Sequence, residues 1–297
     1  MQVDDILAVP ARVLTTEQRE FYFDNGYLLL EGFIPKEWLT RLREATDRMI
    51  KRSREITESD STFDLESGHC AQEPRLRRVS SPVDHDLAYW EYASESMLAD
   101  VASDLVGPNV KFHHSKLNFK WPKGGEEVKW HQDISFWPHT NYSPLTIGTY
   151  LLEVGNDQGP MGILPGSHKG PLFDQYGPDG TWMGCLGDKT TTELDLDRVH
   201  YLTGPAGSVT VHNCRVIHGS KPNHSAKGRP LLLNVYSSAD AYPYTYNPFP
   251  TRLCGEIVRG VPVQWAHLDE QPCQIPPDWS GGYQSIYAVQ QGEDQTK

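Results

Sequence analysis

The tripeptide His131-Gln132-Asp133, with His218 far downstream, constrains this chain more than any other feature. On a β-strand successive side chains alternate faces, so His131 and Asp133 point the same way and Gln132 turns away. A second imidazole from a distant strand then completes a set of two histidines and one carboxylate. A fold that does this has to lay strands from remote parts of the chain beside one another.

The rest of the pattern agrees with such a fold. Thr15-Thr16-Glu17-Gln18-Arg19-Glu20 opens like a capped helix, with hydroxyls ahead of acidic residues, and Asn25-Gly26 supplies its stop. Tyr27-Leu28-Leu29-Leu30 reads as a short buried strand. Helical periodicity returns from Pro35 to about Arg52, where Trp38, Leu39, Leu42, Ala45, Met49 and Ile50 form one apolar stripe. Residues 53–80 are polar and weakly periodic and read as a long loop, either a lid or a variable surface loop. Tyr89 to Val106 reads as one helix, ended by Gly107-Pro108. From Val110 the character changes to short strands at 110–121, 127–134, 146–154, 208–212 and 230–237, with Gly- and Pro-rich turns between them. Helices followed by a run of strands predict a β-sandwich core with helical buttresses.

With 297 residues the chain has enough material for one large domain with a sizeable core. A formal charge of -12 disfavours nucleic acid or an anionic membrane surface as partner. Mean hydropathy is -0.54 and no apolar run approaches the length of a membrane span. Met1-Gln2-Val3-Asp4-Asp5 lacks the basic-then-apolar layout of a signal peptide. Cys70, Cys185, Cys214, Cys254 and Cys273 are scattered without a Cys-x-x-Cys, so neither a disulfide framework nor a zinc knuckle follows. A cytoplasmic setting is expected.

Two histidines and one carboxylate suit a six-coordinate Fe(II) and leave three positions open, the arrangement of non-haem iron oxygenases. Taken singly, any of the 12 histidines is as readily a surface or core residue. Arg229 adds weight. It stands just before the apolar run Leu231-Leu232-Leu233-Asn234-Val235-Tyr236, and a guanidinium on such a strand needs an anion. Its fork suits a carboxylate, either from an acidic side chain or from a dicarboxylate that reaches the metal with its other end. His212 competes for the place of the second imidazole. The spacing to Arg229 and the run His218-Gly219-Ser220 favour the later histidine.

On these residues the chain resembles the phytanoyl-CoA dioxygenase-like family of Fe(II)/2-oxoglutarate-dependent oxygenases, with local similarity to the ectoine hydroxylases. The resemblance spans roughly residues 15–240. It is carried by Gly26–Phe33, His113–Lys120, Trp130–Asp133, Gly162–Lys169, His218-Gly219-Ser220 and Arg229. It implies a jelly roll (double-stranded β-helix, cupin-like), mostly β with flanking helices, and Fe(II), 2-oxoglutarate and O2 as cofactor and cosubstrates. His131, Asp133 and His218 would be the metal ligands. Arg229 would hold the distal carboxylate of 2-oxoglutarate with Ser220 beside it, and Asn118 would contact cosubstrate or substrate. His114 stands where ectoine hydroxylases have a glutamine that touches 2-oxoglutarate; a hydrogen-bond donor is kept but its shape changes. Asp133 is not the Ala or Gly that opens a halide site in related halogenases, so hydroxylation is expected rather than halogenation.

The expected activity is hydroxylation of a C–H bond of a small molecule, with release of succinate and CO2. Trp137, His139, Tyr142 and Tyr236 are candidate substrate contacts, each equally suited to packing, and His168 is expected to be structural. A single domain over residues 1–297 is expected, with a helical part at about 15–106, a jelly-roll core at about 110–240 and a C-terminal extension at 241–297. Residues after about Val289 read as a frayed tail. The alternatives are another oxidative outcome (epoxidation, desaturation or ring formation), a cupin-like metal-dependent isomerase or hydrolase, and a non-catalytic sensor. Nothing resembles a coenzyme-A phosphate site, so the family name does not identify the substrate.

Overall fold

Thr15 and Gln18 cap each other's backbone at the start of the second helix, and Gly26 closes it at φ 80°. That local grammar recurs along the chain, which a computed structural model describes over residues 2–122, 124–283 and 285–292. The N-terminal part runs α1 (Val3–Ala8), α2 (Thr16–Asn25), β1 (Tyr27–Leu30), α3 (Lys36–Ser53), β2 (Phe63–Leu65), β3 (Leu76–Ser80), α4 (Leu87–Glu95) and α5 (Met97–Val106). The strand-rich part runs β4 (Val110–Asn118), β5 (Val128–His131), β6 (Leu145–Tyr150), β7 (Met161–Ile163), α6 (Asp188–Glu193), β8 (His200–Leu202), β9 (Val209–Asn213), β10 (His218–Ser220) and β11 (Leu231–Ser238). β12 (Ile257–Arg259) and α7 (Ile286–Gln291) follow.

The strands form two antiparallel sheets. The major sheet has the order β1-β9-β6-β11-β4-β3-β2, with β12 also on β4, and the minor sheet has the order β5-β10-β7-β8. Strands distant in sequence are neighbours in both, as a jelly roll requires.

Period-2 alternation gives the major sheet two different faces. Leu117, Leu145, Ile147, Val209, Val211 and Leu232 turn toward the helices, where they join Leu42, Ala45 and Met49 of α3 and Tyr89 and Tyr92 of α4 in one buried core. Lys116, Asn118, Thr146, His212, Leu231 and Leu233 turn the other way, onto a cavity between the sheets. Truncating a core residue such as Met49 to Ala is expected to cost about 2–5 kcal/mol.

Three expectations need correcting. Residues 53–80 are not a structureless loop: β2 and β3 lie within them, and β3 pairs with β4 through Arg78 opposite Asn118. The alternation there is short and interrupted by charge, which hid it. The helix read over 89–106 is two helices broken at Ser96, whose backbone leaves the helical region at ψ 177° while its hydroxyl caps Leu98. The C-terminus is not frayed from Val289. α7 runs to Gln291, and the Gln290 carboxamide accepts from the Lys129 N–H at 2.8 Å and donates to the Gly184 carbonyl at 2.8 Å. Residues 293–297 lie outside the described residues. Among the described residues no helix is long and apolar enough to cross a membrane. All five cysteines are free thiols.

Gly26 has a second constraint besides its left-handed backbone, because a Cβ there would stand 2.5 Å from His168 Nδ1. The imidazole of His168 in turn meets the Phe23 carbonyl at 3.1 Å, which fits the structural role expected for it. Gly26→Ala should lower stability by about 1–2 kcal/mol in urea denaturation. Adding His168→Ala should recover the steric part of that loss and leave the backbone part.

Candidate metal centre and its cavity

β5 and β10 pair in a register that sets His131 directly opposite His218, with ring centroids 4.1 Å apart. β5 ends at His131, but Gln132 stays extended (φ -122°, ψ 123°) before Asp133 opens one turn of 3-10 helix. The alternation therefore outlasts the strand by the two residues that matter. Gln132 faces away, where its carboxamide donates to the carbonyls of Pro171 (3.2 Å) and Arg215 (2.8 Å) and accepts from the Phe173 N–H (2.9 Å). One potential ligand atom from each of His131, Asp133 and His218 falls within 4.8 Å of the others.

Hydrogen bonding decides which nitrogens are available. His131 Nδ1 meets the Lys129 carbonyl at 2.8 Å and His218 Nδ1 meets the Val216 carbonyl at 3.0 Å. Carbonyls only accept, so each Nδ1 carries the proton and each Nε2 keeps its lone pair. Those Nε2 atoms lie 3.7 Å and 3.9 Å from Asp133 Oδ1. The other carboxylate oxygen, Oδ2, accepts from the Thr146 hydroxyl at 2.9 Å and contacts His212 Nε2 at 3.2 Å. His212 thus supports the carboxylate from behind. Burial raises the Asp133 pKa, but Lys116, His131 and His212 outweigh it and hold the carboxyl well below its usual range. Burial first, and then the neighbouring imidazoles, keep His218 neutral. Two imidazoles that turn Nε2 inward and an ionised carboxylate oxygen fit a divalent cation with an open side.

The triad opens onto a cavity of about 60 Å³ between the two sheets. Arg229 lies on its wall, 3% exposed, and Nε has no hydrogen-bond partner among the described residues. Burial lowers its pKa, and Tyr287 and Tyr150 oppose that shift. Ser220 and Asn118 share the wall, as does Trp137, whose indole N–H is also without a partner.

Other predicted residues lie elsewhere. His114 stacks on Phe249 at a centroid distance of 4.4 Å and sits behind the wall. His139 is one layer back, its Nδ1 2.7 Å from the Trp137 carbonyl, with a pKa pushed down to about 4 by burial. The Tyr142 hydroxyl points away, to the carbonyls of Gln271 and Pro272 at 3.3 Å. Tyr236 lies on the Leu232 side of β11, which faces the helices, and donates to the Ala93 carbonyl at 2.7 Å.

Sequence reasoning missed Arg78 and Lys116, both buried on the cavity wall. Lys116 was readable, since it shares a strand face with Asn118 two residues on. Burial lowers the Lys116 pKa to about 8, with the Asp133 charge opposing the shift. Phe249, Tyr283, Ile286 and Tyr287 come from the C-terminal extension, and no motif marks them.

Comparison with known proteins places this geometry. Residues 22–231 match the family described as phytanoyl-CoA dioxygenase (PhyH). The chain belongs to that family. It is 36% identical over 229 residues to a Stutzerimonas stutzeri protein described as a probable alpha-ketoglutarate-dependent hypophosphite dioxygenase, covering 76% of this chain and 80% of that one. It is 26% identical to the ectoine dioxygenase of Bordetella bronchiseptica, covering 82% and 83% of the two chains. The structure superposes on EctD from S. alaskensis, solved with 2-oxoglutarate and 5-hydroxyectoine, at a TM-score of 0.63 and 22% identity over 79% and 80% of the chains. The jelly-roll fold expected from the sequence is shared with that structure. The chain is accordingly an iron- and 2-oxoglutarate-dependent oxygenase.

The buried carboxamide of Gln132 ties three loop backbone groups to the strand that ends in the triad. Gln132→Leu should cost about 2–4 kcal/mol in urea unfolding, because those groups lose their partner without gaining water.

Proposed function

We propose that His131, Asp133 and His218 hold the Fe(II), that Arg229 binds the distal carboxylate of 2-oxoglutarate, and that the enzyme hydroxylates a small molecule. The observation that carries this reading is Arg229, a buried guanidinium with an unpartnered Nε in the same cavity as the triad. A charged group so placed is costly unless an anion joins it. A dicarboxylate satisfies it and reaches the metal side with its other end.

Iron, 2-oxoglutarate and O2 together supply the oxidising power, with the cosubstrate leaving as succinate and CO2. The protein's own residues orient and exclude. Lys129 and Val216 fix the imidazole tautomers, and Thr146 and His212 fix the carboxylate. Ser220 and Asn118 offer polar contacts beside Arg229, while Met161, Phe136, Leu231, Leu233 and Ile286 give the cavity apolar walls that keep water out. Asp133 fills the position that a halide would need, which supports hydroxylation. The relatives' named substrates, hypophosphite and ectoine, are small molecules, which supports a small substrate. The chain is taken to act as one catalytic domain, and its acidic charge and free thiols support a cytoplasmic setting. A hydrolase or isomerase using the same triad would leave Arg229 without a purpose.

The test is anaerobic titration with Fe(II) and then 2-oxoglutarate, following heat and the visible charge-transfer band. Arg229→Ala should weaken 2-oxoglutarate on the order of 100-fold and leave Fe(II) affinity nearly unchanged. His218→Ala should weaken Fe(II) itself. Unchanged 2-oxoglutarate affinity in Arg229→Ala would remove the anchor assignment, and tight Fe(II) binding by His218→Ala would remove that ligand.

A further inference from the structure

Arg229 is one of three cations on the cavity wall; the other two are Lys116 and Arg78, and Asp133 is the one acidic residue there. Lys116 is 8% exposed and Arg78 is 1% exposed. Both lie over the same ring: Lys116 Nζ is 4.8 Å from the Phe249 centroid and Arg78 Cζ is 5.1 Å from it. Two like charges are therefore buried against one ring, and the Arg78 charge adds to the burial that lowers the Lys116 pKa.

Neither is in direct contact with a carboxylate among the described residues, although the Asp133 charge acts on Lys116 through space. Asp133 Oδ2 is taken by Thr146 and His212, and Oδ1 faces His131 and His218. Asp64 sits across from Arg78 in the β2–β3 register, yet its ion pair is with Arg77 at 3.8 Å. Arg78 Nε donates to Asn118 Oδ1 at 3.2 Å, while its Nη1 finds no partner among the described residues. Lys116 has no hydrogen bond or ion pair among them either; its contact is the Phe249 ring. The aromatic face offsets part of the cost of burying these charges, and the remainder calls for an anion.

Charge counting separates this anion from the cosubstrate. A divalent metal raises the positive charge that Asp133 only partly cancels, and the 2-oxoglutarate dianion is spent between that metal and Arg229. Lys116 and Arg78 are left over. Asn118 orients the Arg78 fork and sits two residues from Lys116 on the same face of β4, so both cations converge beside the triad.

We propose that Lys116 and Arg78 form a second anion site that receives the negatively charged group of the substrate, so that the enzyme oxidises small oxyanion-bearing molecules. This rests on Arg229 being the cosubstrate anchor. Carboxylates and phosphorus oxyanions share the chemistry that such a site reads.

The experiment is calorimetric titration of the anaerobic Fe(II)- and 2-oxoglutarate-loaded enzyme with acetate, with inorganic phosphite and with neutral acetamide. At least one anion should bind and acetamide should not; which anion binds more tightly identifies the oxyanion class. Lys116→Met and Arg78→Met should each weaken that anion tenfold or more, about 1.4 kcal/mol at the lower limit. Lys116→Arg, which keeps the charge, should retain binding and shows that loss in Lys116→Met is not misfolding. Affinity for 2-oxoglutarate should change by less than about threefold in these variants, against the large loss in Arg229→Ala. Absence of anion binding by wild type that does bind 2-oxoglutarate overturns the second site alone. Anion binding that persists in both Met variants places the anion on the metal and also overturns it. Loss of 2-oxoglutarate affinity in Lys116→Met, with retention in Arg229→Ala, exchanges the two anchors and overturns both readings.

Discussion

The carboxylate of Asp133 is the joint on which the site depends. Its Oδ2 is held by Thr146 of β6 and His212 of β9, both in the major sheet, and its Oδ1 faces His131 and His218, which belong to the minor sheet. One side chain thus meets both sheets at the point where the candidate metal ligands gather. A buried carboxylate is costly unless hydrogen-bonded and surrounded by positive partners. Here those partners come from four strands, so the register of each strand is coupled to the geometry of the site. A one-residue slip in β6 or β9 would turn Thr146 or His212 to the helix side and leave the charge unsupported.

That coupling explains why the major sheet can have one apolar and one mixed face without losing definition. The helix-facing side is a conventional core, with Leu145, Ile147, Val209 and Val211 packed on α3, α4 and α5. The cavity side carries Lys116, Asn118, Thr146 and His212 among leucines. Burial of the first face supplies the hydrophobic stabilisation that lets the second hold polar groups with incomplete partners. Arg229 and Arg78 each retain an unpartnered guanidinium nitrogen in that second face. Such groups mark where a ligand completes the structure rather than where the fold falls short.

The legible part of the molecule is the part governed by short-range periodicity. The α2 cap, the α3 stripe, the alternation through β4, β6, β9 and β11 and the His-x-Asp spacing all follow from local chemistry, and each sits near its expected place. The choice of His218 over His212 was readable only in part. Both imidazoles approach Asp133, but His218 lies in register with His131 whereas His212 meets the far oxygen, and that distinction needs strand pairing. Arg78 was hidden because β3 is five residues long and carries two adjacent arginines, so its period resembles that of a polar loop. Tyr236 was readable, because period-2 alternation along β11 puts it on the same side as Leu232, away from Leu231 and Leu233.

A division of labour follows from the stretch that the family model matches. It covers residues 22–231, so the triad, the proposed cosubstrate anchor and both further cations lie inside it. Phe249, Tyr283, Ile286 and Tyr287 lie beyond it, yet they complete the cavity wall. The segment that carries them is secured to the minor sheet by Gln290 bonding to the Lys129 N–H, immediately upstream of His131. The aromatic wall is thereby positioned relative to the candidate metal ligands by a hydrogen bond in the strand that ends at His131. Phe249, the ring over which Lys116 and Arg78 both lie, comes from this C-terminal part, so the electrostatic environment of cations within the family segment is set by residues outside it. The candidate metal triad and much of the aromatic wall it faces are thus carried by different stretches of the chain, and strand pairing and the Gln290 bond bring them onto one cavity.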